Sequence, residues 1–150
     1  AEGKTLDEAI SFCQATATTE TDPSNDVDGW DAAIKVAALT TVLMDRPLLP
    51  QDIDRTGIRG INQQMIAEAA QAGEKWKLVC TAGYEKGEFQ VKVAPQRVGP
   101  GSPLYSVKGT SSFVQFKLDV LPGLGILESN PGPETTAFGL LADFLSSVQD

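Results

Sequence analysis

The sequence of 150 residues contains no histidine and only two cysteines, Cys13 and Cys80. Without histidine, neither a Ser-His-Asp nor a Cys-His catalytic arrangement can form, and a histidine-based zinc site is excluded. The two cysteines are far apart in the sequence and show no Cys-x-x-Cys spacing, so we expect reduced thiols and no metal site. Acid–base chemistry in this chain therefore has to use carboxylates, lysine or tyrosine.

Positive charge is also scarce, with 12 Lys and Arg residues against 20 Asp and Glu and a net charge of -8. Nucleic-acid binding needs clustered basic residues, and here they are scattered. The apolar runs are far shorter than the ~20 residues that cross a bilayer. The N-terminal residues AEGKTLDEAI are charged where a signal peptide needs an apolar core. We therefore expect a cytoplasmic protein that binds neither nucleic acid nor membrane.

Enough apolar residues are present, 41%, for one hydrophobic core, and the length is typical of a single domain. Thr5 and Glu8 have the spacing of a capping box, which predicts a helix from about Leu6 to Ala15. A second helix is predicted from about residues 28–29 to 44, where the prolines of DRPLLP end it. A third covers INQQMIAEAAQAG.

Strands are predicted in the second half of the chain. KWKLVCTAGY and FQVKVAPQRV alternate apolar and polar residues and are joined by EKGE, which is typical of a hairpin. SSFVQFKLDV and GLGILES are two further strands, and ETTAFGLLADFLSSV is a terminal helix. This order predicts an α+β fold with a mixed, largely antiparallel sheet covered by helices, in one domain over residues 1–150. No G-x-G-x-x-G follows an opening strand, so the chain has no nucleotide-binding unit of its own.

An acidic run, TETDPSNDVDGWDAAIK, precedes the second helix. This helix continues as VAALTTVLM, which is apolar or small on every side and therefore predicted to be buried. Asp31 and Lys35 share one face at its beginning. They form either a surface ion pair, worth a few tenths of a kcal/mol, or a pair tuned for proton transfer by partial burial. A calcium loop is excluded, because placing Gly29 at its sixth position puts Lys35 where a bidentate acid is required.

The other carboxylates of the run have two interpretations. Asp22 is expected to start a turn with the proline that follows it, and Asp28 to cap the helix. Glu20 and Asp26 are less easily explained in this way, because an acidic pocket at a helix start suits a ligand that carries an ammonium group.

The acidic run resembles the signature of homoserine dehydrogenases, Glu-x-Asp-Pro-x-x-Asp-x-x-Gly-x-Asp-x-x-x-Lys. The matching residues are Glu20, Asp22, Pro23, Asp26, Gly29, Asp31 and Lys35. Downstream, WKLVCTA, SPLYSVKGTSS and NPGPETTAFGLLADFL resemble later segments of the same family, so the resemblance covers nearly the whole chain. The family's enzymes begin with a Rossmann domain, and we expect this chain to be a fragment that lacks it.

The resemblance implies the catalytic, substrate-binding domain of an oxidoreductase that interconverts L-homoserine and L-aspartate 4-semialdehyde, in threonine and methionine biosynthesis. Lys35 would donate or accept the hydroxyl proton, and Asp31 would orient Lys35 or the substrate hydroxyl. Glu20 would bind the substrate ammonium, and Asp26 and Thr19 would complete the polar pocket. The cofactor, NAD or NADP, would be held mainly by the missing domain, so the isolated chain is expected to be inactive.

The resemblance also assigns cofactor contact to a terminal loop through Gly132, Glu134 and Thr135. A simpler interpretation of this loop is a turn at Gly132, with Thr135 or Thr136 capping the last helix. The family implies a homodimer formed through the sheet, with SSFVQFKLDV as a candidate contact.

Two further hypotheses remain open from the sequence. Glu128 and Asn130 stand where the family often has glycines, which is compatible with a non-catalytic amino-acid-binding or assembly module of the same fold. The other hypothesis is a related dehydrogenase that acts on a different small hydroxy acid.

Overall fold

The structure is a computed structural model that describes residues 4–15 and 22–148. Its fold is α+β, with helices and small, mostly antiparallel sheets, as the sequence predicts. The chain divides into two compact units, Ala1–Pro100 and Gly101–Asp150. Each unit is described by itself, and a single domain over residues 1–150 stays a prediction.

The first unit contains four α-helices within the described residues, α1 (Leu6–Ala15), α2 (Ser24–Val27), α3 (Trp30–Met44) and α4 (Gln63–Gln71), and a 3-10 helix (Pro50–Asp52). The predicted capping box at α1 is confirmed. The backbone N–H of Thr5 donates to Glu8 Oε2 at 2.7 Å, and the backbone N–H of Glu8 donates to Thr5 Oγ1 at 3.2 Å. The two reciprocal bonds satisfy amide groups that the first turn of a helix leaves without partners.

The second helix begins at Trp30, close to its predicted start at about residues 28–29, but an additional short helix, α2, lies just before it. The short helix α2 ends at Val27, and Gly29 adopts a left-handed conformation with φ of 76° before α3 begins. Glycine reaches this region of backbone conformation without steric cost, which explains the residue type at the junction. The C-terminal end of α3, at Met44, agrees with the prediction.

The sheet of the first unit has three strands in the order β1-β3-β2: β1 (Asp54–Arg55), β2 (Lys75–Glu85) and β3 (Glu88–Val98). The predicted hairpin of β2 and β3 is confirmed, and Lys86 and Gly87 at its turn both have positive φ, as a two-residue hairpin turn requires. The strand β1 pairs in parallel with β3.

The core of this unit lies between α3 and the sheet. Its buried members are Ala33, Val36, Ala37, Ile53 and Val93. Only one side of α3 faces the sheet, and the side chains of Ile34, Val42 and Leu43 on the remaining surface are exposed. The prediction that this helix is buried on every side is therefore wrong for the described residues.

The second unit contains a 3-10 helix (Pro103–Ser106), an antiparallel pair of strands, β4 (Ser112–Phe116) and β5 (Leu124–Glu128), and the helix α5 (Pro133–Ser147). Large apolar side chains of β5 and α5 are exposed, among them Ile126, Leu127, Phe138 and Phe144. Within the described ranges, every helix is too short or too polar to span a lipid bilayer.

Candidate active site

The predicted pairing of Asp31 and Lys35 is present in the first turns of α3. Lys35 Nζ lies 2.8 Å from Asp31 Oδ2. The side chains of Lys35 and Asp31 are 71% and 49% exposed, respectively. The prediction of a partly buried lysine is therefore wrong in the described chain. An exposed pair contributes little to stability, and it leaves the amine of Lys35 open to a ligand.

Cys80 of β2 lies close enough to Asp31 and Lys35 for both charges to affect the pKa of its thiol. Its Sγ donates to the carbonyl oxygen of Ala32 at 3.6 Å, which places the thiol beneath the beginning of α3. The surrounding protein raises the pKa of the Cys80 thiol by desolvation, Asp31 raises the pKa further, and Lys35 opposes the shift. The thiol therefore stays protonated and is not suited to act as a nucleophile. Neither cysteine forms a disulfide within the described residues, in agreement with the reduced thiols that the sequence predicts.

The described acidic residues that precede α3 lie in or next to the short helix α2. Asp22 Oδ1 accepts the backbone N–H of Ser24 at 3.0 Å, which confirms the predicted turn and lowers the pKa of Asp22. Asp26 lies on the exposed side of α2, and its carbonyl oxygen accepts the N–H of Gly29 at 3.2 Å. The backbone of Asp26 is thus part of the turn that leads into α3. The remaining predicted substrate residues, Thr19 and Glu20, lie outside the described residues.

Asp28 does not cap α3, so that prediction is wrong. The N-cap residue is Gly29, and the Asp28 carboxylate instead accepts two hydrogen bonds from Arg59, from Nε at 2.5 Å and from Nη2 at 3.1 Å. These bonds lower the pKa of Asp28. Arg55 donates from Nη1 to the carbonyl oxygen of Asp28. Sequence reasoning missed both arginines, because neither is a local neighbour of the acidic run.

The predicted cofactor residues of the terminal loop lie together at the start of α5. Gly132 is the N-cap residue, and its carbonyl oxygen accepts the N–H of Thr135 at 3.0 Å. No described side chain caps this helix, so capping by Thr135 or Thr136 is wrong. A Cβ placed on Gly132 would come within 2.6 Å of Glu134 Oε2. The Glu134 carboxylate therefore lies against Gly132, and a side chain at this position would displace this flexible group.

The two departures from the family's glycine pattern are accommodated by the second unit. Asn130 has a φ of 47°, in the left-handed region that asparagine tolerates better than most residues. Its backbone N–H donates to Ser111 Oγ at 3.0 Å. Glu128, at the end of β5, accepts the hydroxyl of Ser112 at 3.0 Å. The loop thus keeps at Asn130 a backbone conformation that a glycine would also adopt.

Comparison with known proteins gives one consistent result. The sequence model described as homoserine dehydrogenase matches residues 1–145. The NAD(+)-dependent homoserine dehydrogenase of Pseudomonas canavaninivorans is 31% identical over 139 residues, which cover 92% of this chain and 40% of that protein. The homoserine dehydrogenase of Lactococcus lactis is 30% identical over 148 residues, which cover 99% of this chain and 35% of that protein.

Solved structures agree with the sequence comparison. A crystal structure of S. aureus homoserine dehydrogenase matches with a TM-score of 0.86 and 26% identity, over 98% of this chain and 37% of that chain. The chain therefore spans less than half the length of the proteins that it matches.

Proposed function

Because the chain belongs to the homoserine dehydrogenase family, we propose that it is the catalytic, substrate-binding part of an oxidoreductase that interconverts L-homoserine and L-aspartate 4-semialdehyde. The observation that carries this proposal is the Asp31–Lys35 pair, with 2.8 Å between Nζ and Oδ2 and an exposed amine. The reaction belongs to amino-acid biosynthesis. We keep the predicted cytoplasmic location as part of the same proposal.

In this proposal, Lys35 moves the proton of the substrate hydroxyl. During oxidation, its amine takes the proton as the hydroxyl becomes a carbonyl, and during reduction its ammonium returns a proton to the carbonyl oxygen. Asp31 holds Nζ in one orientation, since the two residues lie one helical turn apart. A positioned acid–base group of this kind contributes about 100- to 10,000-fold to the rate. The nicotinamide cofactor, when bound, accepts or supplies the hydride.

Recognition of the substrate ammonium is proposed for the acidic run. Glu20 would bind the ammonium group, and Asp26 and Thr19 would complete the polar pocket. The excess of carboxylates over basic residues in residues 19–35 favours a positively charged ligand group at this place. A hydrogen bond to a charged group is worth more than one between neutral groups. Loss of the ammonium from the substrate should therefore weaken binding.

The terminal loop fits a peripheral contact with a nicotinamide cofactor. Gly132 has no side chain, so a flat ring that displaces the flexible Glu134 carboxylate can approach the backbone there, and the first turn of α5 has no cap from any described side chain. Helix amides of this kind attract polar acceptor groups. We propose that Gly132, Glu134 and Thr135 touch the cofactor, NAD or NADP, while a domain outside these 150 residues holds most of it.

A homodimer through the sheet is also part of the proposal. Its support is the face of the β4–β5 pair that carries Val114, Leu124 and Ile126, on which Leu124 and Ile126 are exposed apolar residues. An apolar surface of this kind marks interaction sites. Sedimentation of the full-length protein should give a dimer, and Ile126→Lys should weaken it. Gln115→Lys should leave the dimer intact, because Gln115 is a polar residue on the other face of the strand pair. Equal masses for wild type and Ile126→Lys would contradict this contact.

The proposed activity is tested by substrate profiling with the full-length protein. Reduction of NAD and of NADP is followed with L-homoserine, with 4-hydroxybutanoate, which lacks the ammonium, and with the shorter L-serine. We expect kcat/KM to be at least tenfold higher for L-homoserine than for either other compound. Turnover of another hydroxy acid in preference would support a related dehydrogenase. No turnover with either cofactor would contradict the proposal and favour a non-catalytic binding module.

A further inference from the structure

The Asp28–Arg59 contact is built as a two-point attachment. The guanidinium donates from Nε to Oδ1 at 2.5 Å and from Nη2 to Oδ2 at 3.1 Å. A bidentate arrangement fixes the relative orientation of both groups as well as their distance. Arg59 and Asp28 are 31 residues apart in the sequence, so the contact ties the α2–α3 junction to a distant segment.

Arg55 attaches the same junction at two more points. Its guanidinium lies 3.6 Å from the centre of the Trp30 ring, and it also donates to the carbonyl oxygen of Asp28. Trp30 is the first residue of α3 and directly precedes Asp31. Arg55 thus contacts both sides of Gly29, the left-handed residue where the chain turns into the helix.

The backbone of residues 55–59 is itself anchored. The N–H of Thr56 donates to the carbonyl oxygen of Val93 at 2.8 Å. The N–H of Ile58 donates to the carbonyl oxygen of Val27, also at 2.8 Å. Val93 is fully buried in the core. Between these two bonds, Gly57 packs so closely on Asp28 that a Cβ would come within 2.6 Å of Asp28 Cα. The segment therefore connects the buried sheet to the α2–α3 junction.

The start of α3 needs such support because, within the described residues, it lacks the capping side chain that commonly stabilises the first turn of a helix. No described side chain makes a capping hydrogen bond to this helix, whose N-cap is Gly29. Uncapped first turns leave amide groups without partners and open easily. Asp31 and Lys35 occupy the first two turns, so an opening of the helix start would displace both side chains. A misplacement of about 1 Å can lower the rate on the order of 100-fold.

We propose that Arg55 and Arg59 are positioning residues, which hold the α2–α3 junction through Asp28 and thereby fix Asp31 and Lys35 for proton transfer. This inference rests on the proposed function and deepens it. A lone exposed ion pair would contribute little. Here one segment makes side-chain and backbone contacts with Val27, Asp28 and Trp30, all within four residues of Asp31.

Kinetics of the full-length protein test the proposal, with a matched control in the same unit. Arg97 Nε lies 2.6 Å from Glu74 Oε2, a similar exposed arginine–carboxylate pair far in sequence from the junction. We expect Arg59→Ala and Asp28→Asn each to lower kcat with L-homoserine at least tenfold, with KM for the cofactor changed less than twofold. Arg59→Lys should restore part of kcat, and Arg97→Ala should keep it within twofold of wild type.

The coupling of the two residues gives a further criterion. If Arg59 acts through Asp28, the double variant Asp28→Asn/Arg59→Ala should be no slower than the slower single variant. Multiplied losses in the double variant would contradict this route. Equal kcat values for Arg59→Ala and Arg97→Ala would overturn the proposal, even if Arg59→Ala lowered the melting temperature.

Hydrogen exchange separates this inference from the proposed function. Amides of residues 30–35 should exchange at least tenfold faster in Arg59→Ala than in wild type, and at an unchanged rate in Arg97→Ala. If the wild type oxidises no homoserine, the proposed function fails, while faster exchange would still support the positioning of α3. Unchanged exchange in Arg59→Ala would refute that positioning whatever the wild-type activity.

Discussion

Replacing Gly57 with alanine is expected to push the start of α3 away from residues 55–59. The added Cβ would lie 2.6 Å from Asp28 Cα and 2.8 Å from the Asp28 carbonyl carbon, and neither atom belongs to a flexible side chain. The nearest atom of all is the Val27 carbonyl oxygen, so the two backbones would have to separate by about 1 Å or more to reach ordinary contact. That movement would also stretch the Ile58–Val27 hydrogen bond.

The size of the effect follows from two opposing contributions. Overpacking of this kind costs about 1–3 kcal/mol. Alanine also has less conformational freedom than glycine in the unfolded chain, which stabilises the folded protein by about 0.4–1 kcal/mol. A net loss of roughly 1–2 kcal/mol corresponds to a lower melting temperature by several degrees, at about 2–4 °C per kcal/mol for a domain of 150–250 residues. The displaced helix start should also lower kcat.

Thermal unfolding and steady-state kinetics of the full-length protein are the assays. Gly60→Ala is the matched control, because it is the same replacement three residues further on, where a Cβ would meet no described atom within 4 Å. We expect Gly60→Ala to leave the melting temperature and kcat near those of wild type. Equal effects of the two replacements would refute the reasoning from close packing.

Three further predictions concern stability. Thr40 is 1% exposed and its hydroxyl has no hydrogen-bond partner among the described residues, so Thr40→Val should stabilise by about 1 kcal/mol in chemical unfolding; a loss would contradict this. Asn130 has a φ of 47°, so Asn130→Ala should lower the free energy of unfolding by about 1–2 kcal/mol and Asn130→Gly by distinctly less. Equal losses in the two variants would count against backbone conformation as the cause. Arg59 lowers the pKa of Asp28, so this carboxylate's contribution to stability is complete above its ordinary pKa of about 4 and is lost as the pH falls through the lowered pKa of the folded protein. Asp28→Asn should therefore make stability fall less steeply below about pH 4 in urea unfolding, and parallel curves would argue against the Arg59 contact.

Local sequence signals predicted most of the fold. The capping box of Thr5 and Glu8, the hairpin turn at Lys86 and Gly87, and the end of α3 before DRPLLP all depend on residues a few positions apart. The Asp31–Lys35 contact is also local, since it follows from helical spacing. These are the features that one sequence can specify without knowledge of the tertiary structure.

Non-local contacts explain what the sequence did not predict. The role of Asp28 is set by Arg59, 31 residues away, and a local pattern gave only the possibility of a cap. The exposure of Lys35 depends on which side of α3 meets the sheet, which the uniformly apolar composition of the helix does not indicate. The short helix α2 was missed for a related reason, because it is a single turn held by its neighbours.

The central claim, that Lys35 transfers the proton, is tested most directly by Lys35→Ala beside Lys92→Ala in the full-length protein. Lys92 forms a comparable exposed pair with Asp54, with 3.0 Å between Nζ and Oδ2. The account predicts that kcat for L-homoserine oxidation falls about 100-fold or more in Lys35→Ala and stays within twofold of wild type in Lys92→Ala. Similar kcat values for the two variants would contradict it and leave Asp31–Lys35 as a surface ion pair.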